Sequence, residues 1–536
     1  MLLIAHMTTR RDVLRSLTAL GFGAAPALTG CGGASTNGRW FNAVRSDGIT
    51  PARYSTPVSA REIVLAVQEA EARGGRVRMT GSGHSFSDVA MTADHMMSPR
   101  GLTTCAWLDR SRLCDEVKED RHLVRVQSGS TLHQLDRRLE AVGLAFANLG
   151  GYDAQTVVGA ASTGTHGSGL GFGPITEQIV SWQVVTAGGK VVQIEPSAGI
   201  TDPARFPGTL EDDPSIPVTL RQDDDLFHAM GVGIGCLGIA YAVVLKAVDE
   251  FWLREVRTLT GWKSLSAPDG FLGRLVADEG RSLPPDLHHY EIYFNPYPAR
   301  GEHAALLTER YHLGTRPTLL STRRGNPGAA WDAGLTVSAT DSGVLSTFVD
   351  LLSETAARDV ITGALQNLVD PGYTQASYRV FNLGDLNRAR AYGIELSFPI
   401  ARTVEVVARV FDIASRQAEK SRLHPSPISL RFVQNSPFLI APQQGRTTTM
   451  LEMGVAVGQR GADELLRTYE EELVRDFGVR PHWGLDLRVL RGDRAVRALW
   501  PDTWDKWLTA FRTQNASGVF DGEVTDRLGI SMRPRT

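Results

Sequence analysis

The stretch Val77-Arg78-Met79-Thr80-Gly81-Ser82-Gly83-His84-Ser85-Phe86 joins a short apolar strand to a turn that contains two glycines. Because glycine has no Cβ, the backbone can turn sharply here and approach a ligand closely. Successive backbone N–H groups in such a turn form a nest that suits an anion such as pyrophosphate. Most Gly-rich turns bind no ligand, so this stretch indicates a ligand site only together with other segments of the same kind.

A second run of small residues is Gly159-Ala160-Ala161-Ser162-Thr163-Gly164-Thr165-His166-Gly167-Ser168-Gly169, and the pair Gly150-Gly151 precedes it. Small side chains and hydroxyl groups are expected where backbone packs against a flat or anionic ligand. Two such segments in one chain favour a shared ligand site over two unrelated turns.

A third cluster, Gly233-Ile234-Gly235-Cys236-Leu237-Gly238, fits the G-x-G-x-x-G pattern of dinucleotide-binding folds. That pattern needs a strand before it and a helix after it. Here the helix-like stretch 225–230 precedes it and the β-branched run 239–244 follows. We therefore reject a Rossmann site and expect Cys236 to be a small core residue.

The composition is that of a globular protein, with 536 residues, 42% of them hydrophobic and 21% charged, and a net charge of −3. It excludes wholesale disorder, and the charge balance gives no footprint for nucleic acid. Four Cys in a chain of this length do not form a disulfide framework, and nothing in the sequence decides whether Cys105 and Cys114 pair. No unbroken apolar run reaches the roughly 18 residues of a transmembrane helix.

The first 31 residues read as an export signal. The pair Arg10-Arg11 precedes the apolar stretch 17–28, and Leu28-Thr29-Gly30-Cys31 follows as a lipobox-like site. We expect export by the twin-arginine route and a lipid on Cys31 that anchors the protein at the periplasmic or extracellular face of the membrane. That route carries folded proteins, so it suits a protein that acquires a cofactor in the cytoplasm. The alternative is an amphipathic N-terminal helix with an accidental Arg pair.

Hydrophobic periodicity predicts mixed α and β structure up to about residue 250 and longer strands after it. In the first part we expect a helix over 59–73, a hairpin around Ala187-Gly188-Gly189 and a loop insertion over 203–224. In the second part we expect strands over 289–294, 394–398, 428–433 and 447–455, and helices over 402–420, 462–476 and 500–513. This pattern favours an α+β fold with an antiparallel sheet.

The Gly-rich segments resemble the FAD-binding domain of the vanillyl-alcohol oxidase superfamily, and are most similar to its sugar-lactone and alditol oxidases. Gly81 to Ser85 match the family's G-x-G-H-S turn, and Thr163 to Gly169 match its T-G-T-H-G-x-G segment. Residues 235–239 correspond to a Gly-x-x-Gly-Ile segment, 480–484 to the R-P-H-W-G-K signature and 516–520 to the closing D-P-x-G-x-F. The resemblance runs from about residue 40 to the end of the chain.

This resemblance implies a two-part fold. Residues 38–250 would form the FAD-binding domain, and a C-terminal segment, 480–536, would return to it. Residues 251–479 would form an α+β substrate domain, or cap, with an antiparallel sheet.

The resemblance also implies that FAD is bound covalently, through its 8-methyl carbon, to His84. Neutral imidazole is nucleophilic near pH 7, which suits this bond; the alternative is a non-covalent or structural histidine. His166 is expected to pack and hydrogen-bond beside the flavin. The cofactor-binding residues would be Gly81, Ser82, Gly83, His84, Ser85, Gly150, Gly151, Gly159, Ser162, Gly164, Thr165, His166, Gly167, Gly238 and Ile239.

The family further implies a gate for oxygen beside the flavin. Its oxidases place Gly where related dehydrogenases place Ala, and alignment puts Gly150 at that point. This favours O2 as the electron acceptor, whereas the alternative is a flexible turn at Gly150-Gly151.

The substrate side departs from the family pattern. Relatives often carry E-x-R on a strand, but here the Glu is Ser429 while Arg431 is kept, and the Lys after His-Trp-Gly is Leu485. We expect Glu452 or His482 to accept the hydroxyl proton, with Arg431 stabilising developing negative charge. The alternatives are an exposed Glu452 on the sheet and an Arg431 in a structural ion pair.

Glu395, His288 and His289 are assigned no catalytic or metal-binding role. Glu395 is expected to be structural. His288 and His289 are adjacent and would point to opposite faces of a strand, so no metal site is assigned.

The function predicted from these residues is oxidation of a CH–OH group in a sugar lactone, alditol or related alcohol. A hydride would pass to flavin N5, and O2 would reoxidise the flavin and yield H2O2. Three alternatives stay open: an oxidase of a larger, less polar, sterol-like alcohol; a dehydrogenase that passes electrons to a carrier; and a surface lipoprotein that keeps the flavin fold but only binds a ligand. The sequence does not give the oligomeric state.

Overall fold

The computed structural model describes residues 38–321, 346, 349–382 and 390–533. The predicted signal at residues 1–31, with Cys31, lies outside these residues. Within them, no helix is long and apolar enough to cross a membrane. Cys105, Cys114 and Cys236 are all free thiols, and Cys236 is fully buried as predicted.

The described residues of the first half of the chain form two larger sheets, two pairs of short strands and four α-helices. A small parallel sheet contains β3 (Arg53–Ser55), β4 (Val77–Met79) and β5 (His95–Met97), after a short hairpin of β1 (Trp40–Phe41) and β2 (Gly48–Ile49). A six-stranded sheet contains β6 (Cys105–Trp107), β7 (Leu123–Gln127), β9 (Ile179–Thr186), β10 (Lys190–Glu195), β11 (Val218–Gln222) and β12 (Ile239–Lys246) in the order β11-β10-β9-β12-β7-β6. The remaining elements are β8 (Leu144–Ala145), which pairs with β13 (Val248–Asp249), and helices α1 (Ala60–Ala72), α2 (Leu132–Glu140), α3 (Val157–Ser162) and α4 (Asp224–Gly231).

Helix α1 confirms the helix predicted over 59–73. Ser59 caps it by accepting a hydrogen bond from the Glu62 N–H, which satisfies one of the free donors of the first turn. Its apolar face buries Ile63, Val67 and Ala70. Burial of a side chain such as Ile or Val contributes about 1.5–3 kcal/mol, so the face rather than helix propensity holds α1 in place.

The six-stranded sheet contains one turn that was predicted correctly and one segment that was wrongly predicted to be a loop. The hairpin around Ala187-Gly188-Gly189 joins antiparallel β9 and β10, and both of its glycines have positive φ. The prediction that 203–224 is only a loop is wrong, because β11 lies inside it and pairs with β10 in parallel. An edge strand of five residues, preceded by Pro and Asp, carries too short an alternation to stand out.

The second half contains an eight-stranded sheet in which every neighbouring pair is antiparallel. Its order is β17-β14-β16-β15-β19-β20-β18-β21. The strands are β14 (Trp252–Gly261), β15 (Leu287–Phe294), β16 (Ala304–Leu313), β17 (Asp370–Ala376), β18 (Ala391–Pro399), β19 (Ile428–Val433), β20 (Thr448–Ala456) and β21 (Arg480–Pro481). The helices are α5 (Trp262–Ser266), α6 (Phe271–Asp278), α7 (Glu354–Asn367), α8 (Ser377–Phe381), α9 (Thr403–Ala418) and α10 (Ala462–Phe477). This confirms the predicted α+β fold with an antiparallel sheet.

The eight-stranded sheet has two chemically different faces, because side chains alternate along a strand. On one face, Leu396, Leu430 and Leu451 are fully buried in a core shared with α9 and α10. The opposite face carries the polar side chains of the same strands, among them Arg431 and Glu452. The period-two pattern therefore places the polar residues together on the face opposite α9 and α10.

The C-terminal residues pack into the core of the first half. They form α11 (Asp493–Leu499), α12 (Trp504–Gln514) and α13 (Glu523–Arg527). Trp483, Trp500, Trp504 and Trp507 are fully buried in the same core cluster as Val157 of α3.

Candidate active site

The Gly-rich turn after β4 lies directly against the beginning of α3. A Cβ built on Gly81 would lie 2.6 Å from Thr156 Oγ1 and 3.6 Å from the Gly159 Cα. The Ser82 hydroxyl accepts a hydrogen bond from the Thr156 N–H at 3.2 Å. Gly83 has a φ of +80°, a conformation that favours glycine. The two Gly-rich segments of the sequence thus form one continuous backbone surface.

The C-terminal segment with the His-Trp-Gly sequence holds this turn in place. The Phe86 N–H donates to the Gly484 carbonyl at 2.8 Å, and the Ser87 hydroxyl donates to the Trp483 carbonyl at 2.8 Å. The indole N–H of Trp483 donates to the Ile440 carbonyl at 2.7 Å. Two sequence signatures almost 400 residues apart therefore meet at one place.

His84 is half-buried and is held by an aromatic neighbour. Its Nε2 lies 2.8 Å from the Tyr152 hydroxyl, and the two rings are 4.4 Å apart between centroids. Burial lowers the pKa of His84 to about 4. The imidazole is therefore neutral at pH 7, as a nucleophilic nitrogen must be.

One cavity brings the two halves of the prediction together. From the first half it is lined by His84, Gly150, Gly151, Thr165 and His166. From the antiparallel sheet and the C-terminal segment it is lined by Ser429, Arg431, Glu452 and His482. Further lining residues include Phe86, Tyr152, Tyr293, Tyr392, Gly393, Glu395, Gly454 and Leu485. Five of the fifteen candidate cofactor residues and all three candidate catalytic residues thus face the same space, whereas the other ten candidate cofactor residues do not line it.

A row of side chains crosses four strands at the sheet side of this cavity. Tyr293 on β15 is paired with Ser429 on β19, Ser429 with Glu452 on β20, and Glu452 with Glu395 on β18. Residues opposite one another on neighbouring antiparallel strands have adjacent side chains. The row accordingly places two carboxylates side by side in the cavity wall.

Arg431 and Glu452 are in direct contact, as expected of an electrostatic partner and a proton acceptor. Arg431 Nη1 lies 3.3 Å from Glu452 Oε2, and the Ser429 hydroxyl donates to the same oxygen at 3.4 Å. Burial raises the pKa of Glu452 despite the opposing effect of Arg431. The Glu452 side chain is 40% exposed, so the carboxylate opens into the cavity and is not packed away.

His482 is fixed by the backbone that follows it. Its Nδ1 accepts a hydrogen bond from the Gly484 N–H at 3.1 Å. Burial lowers the pKa of His482 to about 4. Because His482 is buried whereas the Glu452 carboxylate opens into the cavity, the geometry favours Glu452 over His482 as the proton acceptor.

Glu395 has a closer relation to the cavity than the structural role expected from the sequence. Its Oε1 lies 3.2 Å from His166 Nε2, while the other ring nitrogen of His166 lies 2.8 Å from the Gly167 carbonyl. Burial acts to raise the pKa of Glu395, but the charges of His166, His482 and Arg431 prevail and lower it to about 2. Glu395 is therefore an ionised group that holds the ring of His166 in the cavity wall.

Other candidate cofactor residues shape the surrounding backbone. A Cβ on Gly167 would lie 2.5 Å from Asn148 Oδ1, and Gly164, with a φ of +83°, lies against Pro442. The Ser85 carbonyl accepts a hydrogen bond from the Asn42 amide at 3.1 Å. These positions bring backbone segments close together beside the cavity.

The third Gly cluster lies behind α3. The Ile234 N–H donates to the Ser162 carbonyl at 3.0 Å. Gly238 packs on Val184, and Ile239 begins β12 and is fully buried. Helix α4 precedes the cluster and β12 follows it, which confirms that the G-x-G-x-x-G match is not a Rossmann site.

Tyr152 and Tyr293 are among the lining residues that the sequence did not single out. Tyr152 directly follows the Gly150-Gly151 pair, so its neighbourhood was the available signal. Tyr293 stands in an apolar strand that alone does not show which face it uses. Leu485 stands where relatives carry a Lys, and the structure places it in the cavity wall.

The residues present fit FAD. The Thr165 hydroxyl is buried in the cavity wall without a hydrogen-bond partner among the described residues, so it can serve a polar ligand. The glycine surface of the turn and α3 leaves backbone accessible to an anion, as the pyrophosphate of FAD requires. Across the described residues, no group of three or more His, Cys, Asp or Glu could hold a metal ion.

Comparison with protein families gives two matches. The family described as FAD binding domain matches residues 51–195, and the family described as D-arabinono-1,4-lactone oxidase matches residues 342–528. The chain is 26% identical over 500 residues to an L-gulono-1,4-lactone dehydrogenase of Mycobacterium tuberculosis, covering 91% of this chain and 98% of that protein. It is 28% identical over 217 residues to an L-gulonolactone oxidase of Bos taurus, covering 40% of this chain and 42% of that protein.

Comparison with solved structures supports the fold. A solvent-stable cholesterol oxidase superposes with a TM-score of 0.68 at 15% identity, covering 92% of this chain and 97% of that one. A cholesterol oxidase from B. sterolicum gives a TM-score of 0.68 at 14% identity, with 92% and 96% coverage. At these identities the likeness is one of architecture.

Proposed function

Because the chain is a FAD-dependent oxidoreductase of the vanillyl-alcohol oxidase superfamily, we propose that it oxidises a CH–OH group of a sugar lactone beside Arg431 and Glu452. The observation that carries the proposal is the contact of this guanidinium and carboxylate, 3.3 Å apart, in the cavity that the Gly-rich segments also line. Relatives named as lactone oxidases and dehydrogenases support the substrate class. Bound FAD would supply the hydride acceptor.

Glu452 takes the proton of the substrate hydroxyl in this scheme. Its raised pKa makes it a stronger base than an ordinary carboxylate. Arg431 stabilises the negative charge that develops on the substrate oxygen as the proton leaves. The Ser429 hydroxyl orients the carboxylate by donating to it.

The pairing of Ser429 with Glu452 accounts for the missing Glu of the E-x-R pattern. The two residues face each other on neighbouring strands, so a carboxylate placed at either position reaches the same part of the cavity. In this chain the carboxylate beside the Arg therefore lies on β20 and not on β19, whereas the Arg is kept at position 431. The loss of Glu at position 429 is therefore compatible with catalysis.

We also propose that FAD is attached covalently to His84. The neutral imidazole and its contact with the Tyr152 hydroxyl support a positioned nucleophile. Without such a bond, FAD would depend on the backbone contacts of the turn and α3 alone.

O2 is proposed as the electron acceptor, because Gly150 leaves open the space that a side chain would occupy. A Cβ on Gly150 would meet the His166 carbonyl at 3.0 Å, and no other heavy atom within 4 Å. The full-length similarity to a protein named a dehydrogenase supports a carrier-linked alternative.

A larger, less polar alcohol is the second candidate substrate. Leu485 stands where relatives carry a Lys, and Gly393 and Gly454 are paired in the same cavity wall. These residues offer apolar and open surface where a polyol would need hydrogen-bond partners.

Export and the lipid anchor on Cys31 are proposed from the sequence signal alone. Labelling with a palmitate analogue in cells that carry the wild type or Cys31→Ala tests the anchor. The expected result is label in the membrane fraction with the wild type only; equal label in both, or none in either, would contradict it.

The substrate proposal is tested by anaerobic reduction of the flavin in the purified full chain. We expect aldono-1,4-lactones to bleach the flavin absorbance faster than alditols or a sterol. Readmission of air then separates the acceptors, because O2 should restore the absorbance within seconds and yield H2O2. Bleaching by the sterol alone would favour the second substrate, and reoxidation only by a dye would favour the carrier.

A further inference from the structure

A chain of alternating charges crosses five neighbouring strands of the antiparallel sheet and ends in the cavity. Arg310 Nε lies 2.7 Å from Glu255 Oε2, and Arg310 Nη2 lies 3.1 Å from Glu291 Oε1. The second oxygen of Glu291 lies 3.4 Å from Arg431 Nε, and Arg431 in turn contacts Glu452. We name this set the charge ladder; its members come one each from β14, β16, β15, β19 and β20.

The charge ladder runs from the dry interior to the open cavity. Side-chain exposure is 0% for Glu255, 2% for Arg310 and 3% for Glu291, then rises to 16% for Arg431 and 40% for Glu452. The three inner members do not line the cavity. Their direct ion-pair contact with a cavity-lining residue is the one between Glu291 and Arg431.

Stability alone does not account for the inner members. Removing charges from water is costly, and well-packed apolar residues often replace a buried ion pair without loss of stability. The same strand that carries Arg310 has a buried apolar side chain, Leu306, beside Tyr293. Because this buried ladder ends at the proposed base, Glu452, a functional role at that base would explain why its charges are kept.

We propose that Glu255, Arg310 and Glu291 are positioning residues that set the proton affinity of Glu452 through Arg431, and with it the lower pH limit of hydride transfer. The inference rests on the proposed role of Glu452 as proton acceptor. Glu291 shares the guanidinium of Arg431 with Glu452, so it weakens the hold of Arg431 on the Glu452 carboxylate. Arg310 occupies the other oxygen of Glu291 and limits this competition.

Several other groups face Glu452, and substitutions at Glu291 or Arg310 leave these residues in place. Ser429 and Arg431 approach from β19, Glu395 from β18 and Tyr293 from β15, and His166 adds its charge from the first half. Because these groups remain, a shift produced at Glu291 or Arg310 reports the ladder.

The test is the pH dependence of anaerobic flavin reduction by a lactone in the purified holoprotein. Glu291→Gln leaves Arg431 wholly to Glu452, so the acid limb of the profile should move down by about one pH unit. Arg310→Gln removes a positive charge and should move the limb up by about one pH unit. Arg310→Lys keeps the charge and should stay close to the wild type.

A matched control is Arg125→Gln in the six-stranded sheet. Arg125 is also buried, with 3% exposure, and is paired with Asp212 and Glu211, but it lies outside the cavity lining. Its loss should lower the melting temperature without moving the pH profile. If Arg310→Gln fails to fold, Glu291→Gln decides alone.

A second readout is the pH titration of the oxidised flavin spectrum, which needs no turnover. The spectral step assigned to Glu452 should move with the kinetic limb and vanish in Glu452→Gln. Unchanged steps in both ladder variants, or shifts in the same direction, would overturn the inference. A wild type that no lactone reduces would instead refute the proposed function, while the titration still tests the ladder.

Discussion

Ser429 and Glu452 face each other across β19 and β20, with the Ser429 hydroxyl 3.4 Å from the Glu452 carboxylate. The relation explains how the cavity keeps a carboxylate beside Arg431 although the strand that carries Arg431 lacks one. Cross-strand partners share one face of a sheet, so a functional group can change strands without changing its surroundings.

The first prediction concerns this exchange. The single variant Glu452→Ser should lose flavin reduction by the substrate, since Glu291, the carboxylate that still contacts Arg431, does not line the cavity. The double variant Ser429→Glu/Glu452→Ser should reduce the flavin at least tenfold faster than Glu452→Ser, because a carboxylate again approaches Arg431, now from β19. Stopped-flow reduction measures both. A double variant no faster than Glu452→Ser would mean that the two positions are not equivalent.

The second prediction concerns Arg431. Replacement with Met should slow anaerobic flavin reduction about 10²–10³-fold, the usual loss when a group that stabilises developing charge is removed. Arg431→Lys should recover only part of this rate, because a single ammonium cannot contact Glu291 and Glu452 in the same way. Flavin content, read from the absorbance ratio, should stay constant. Equal rates in Met and Lys variants would assign Arg431 a purely structural part.

The third prediction concerns His84 and Tyr152. Acid precipitation should leave flavin fluorescence in the protein pellet of the wild type and none in that of His84→Ala. Tyr152→Phe should retain bound FAD but lower its covalent fraction, since the ring of His84 loses a hydrogen bond. Tyr378→Phe, which removes a 2.8 Å bond to Glu140 outside the cavity lining, is the matched control. Soluble flavin from the wild type would refute the covalent bond.

The fourth prediction concerns Gly150. Gly150→Ala should slow the reaction of the reduced protein with O2 at least tenfold and leave anaerobic reduction within about twofold. Gly171→Ala is the control, because a Cβ there would meet nothing within 4 Å. An unchanged O2 rate in Gly150→Ala would remove the argument for a gate at this position.

The sequence predicted the strands that form the cavity wall better than the strands behind them. Strands β19 and β20 were expected almost at their observed bounds, because β19 alternates between apolar and polar residues and β20 is largely apolar around Glu452. Strands β14 and β16 were missed for the opposite reason. Their inward positions carry Glu255, Arg257 and Arg310, which break the apolar pattern that marks a buried strand.

The charge ladder could not have been predicted from one sequence. Its contacts depend on the strand order, in which β15 lies between β16 and β19 although β19 is far along the chain. By contrast, the His84 turn and the His166 segment carry local glycine signals, and both line the cavity as expected of a shared site. Glycine-rich backbone turns can be predicted from the local sequence, whereas contacts between side chains on neighbouring strands depend on the strand order of the folded sheet.

The measurement closest to the central claim is anaerobic reduction of the bound flavin by an aldono-1,4-lactone in the wild type and in Glu452→Gln. Gln keeps the size of the side chain but cannot accept the proton, so the rate should fall about 10²–10⁴-fold while flavin content and melting temperature stay close to the wild type. Reduction of both proteins at the same rate would show that Glu452 is not the base.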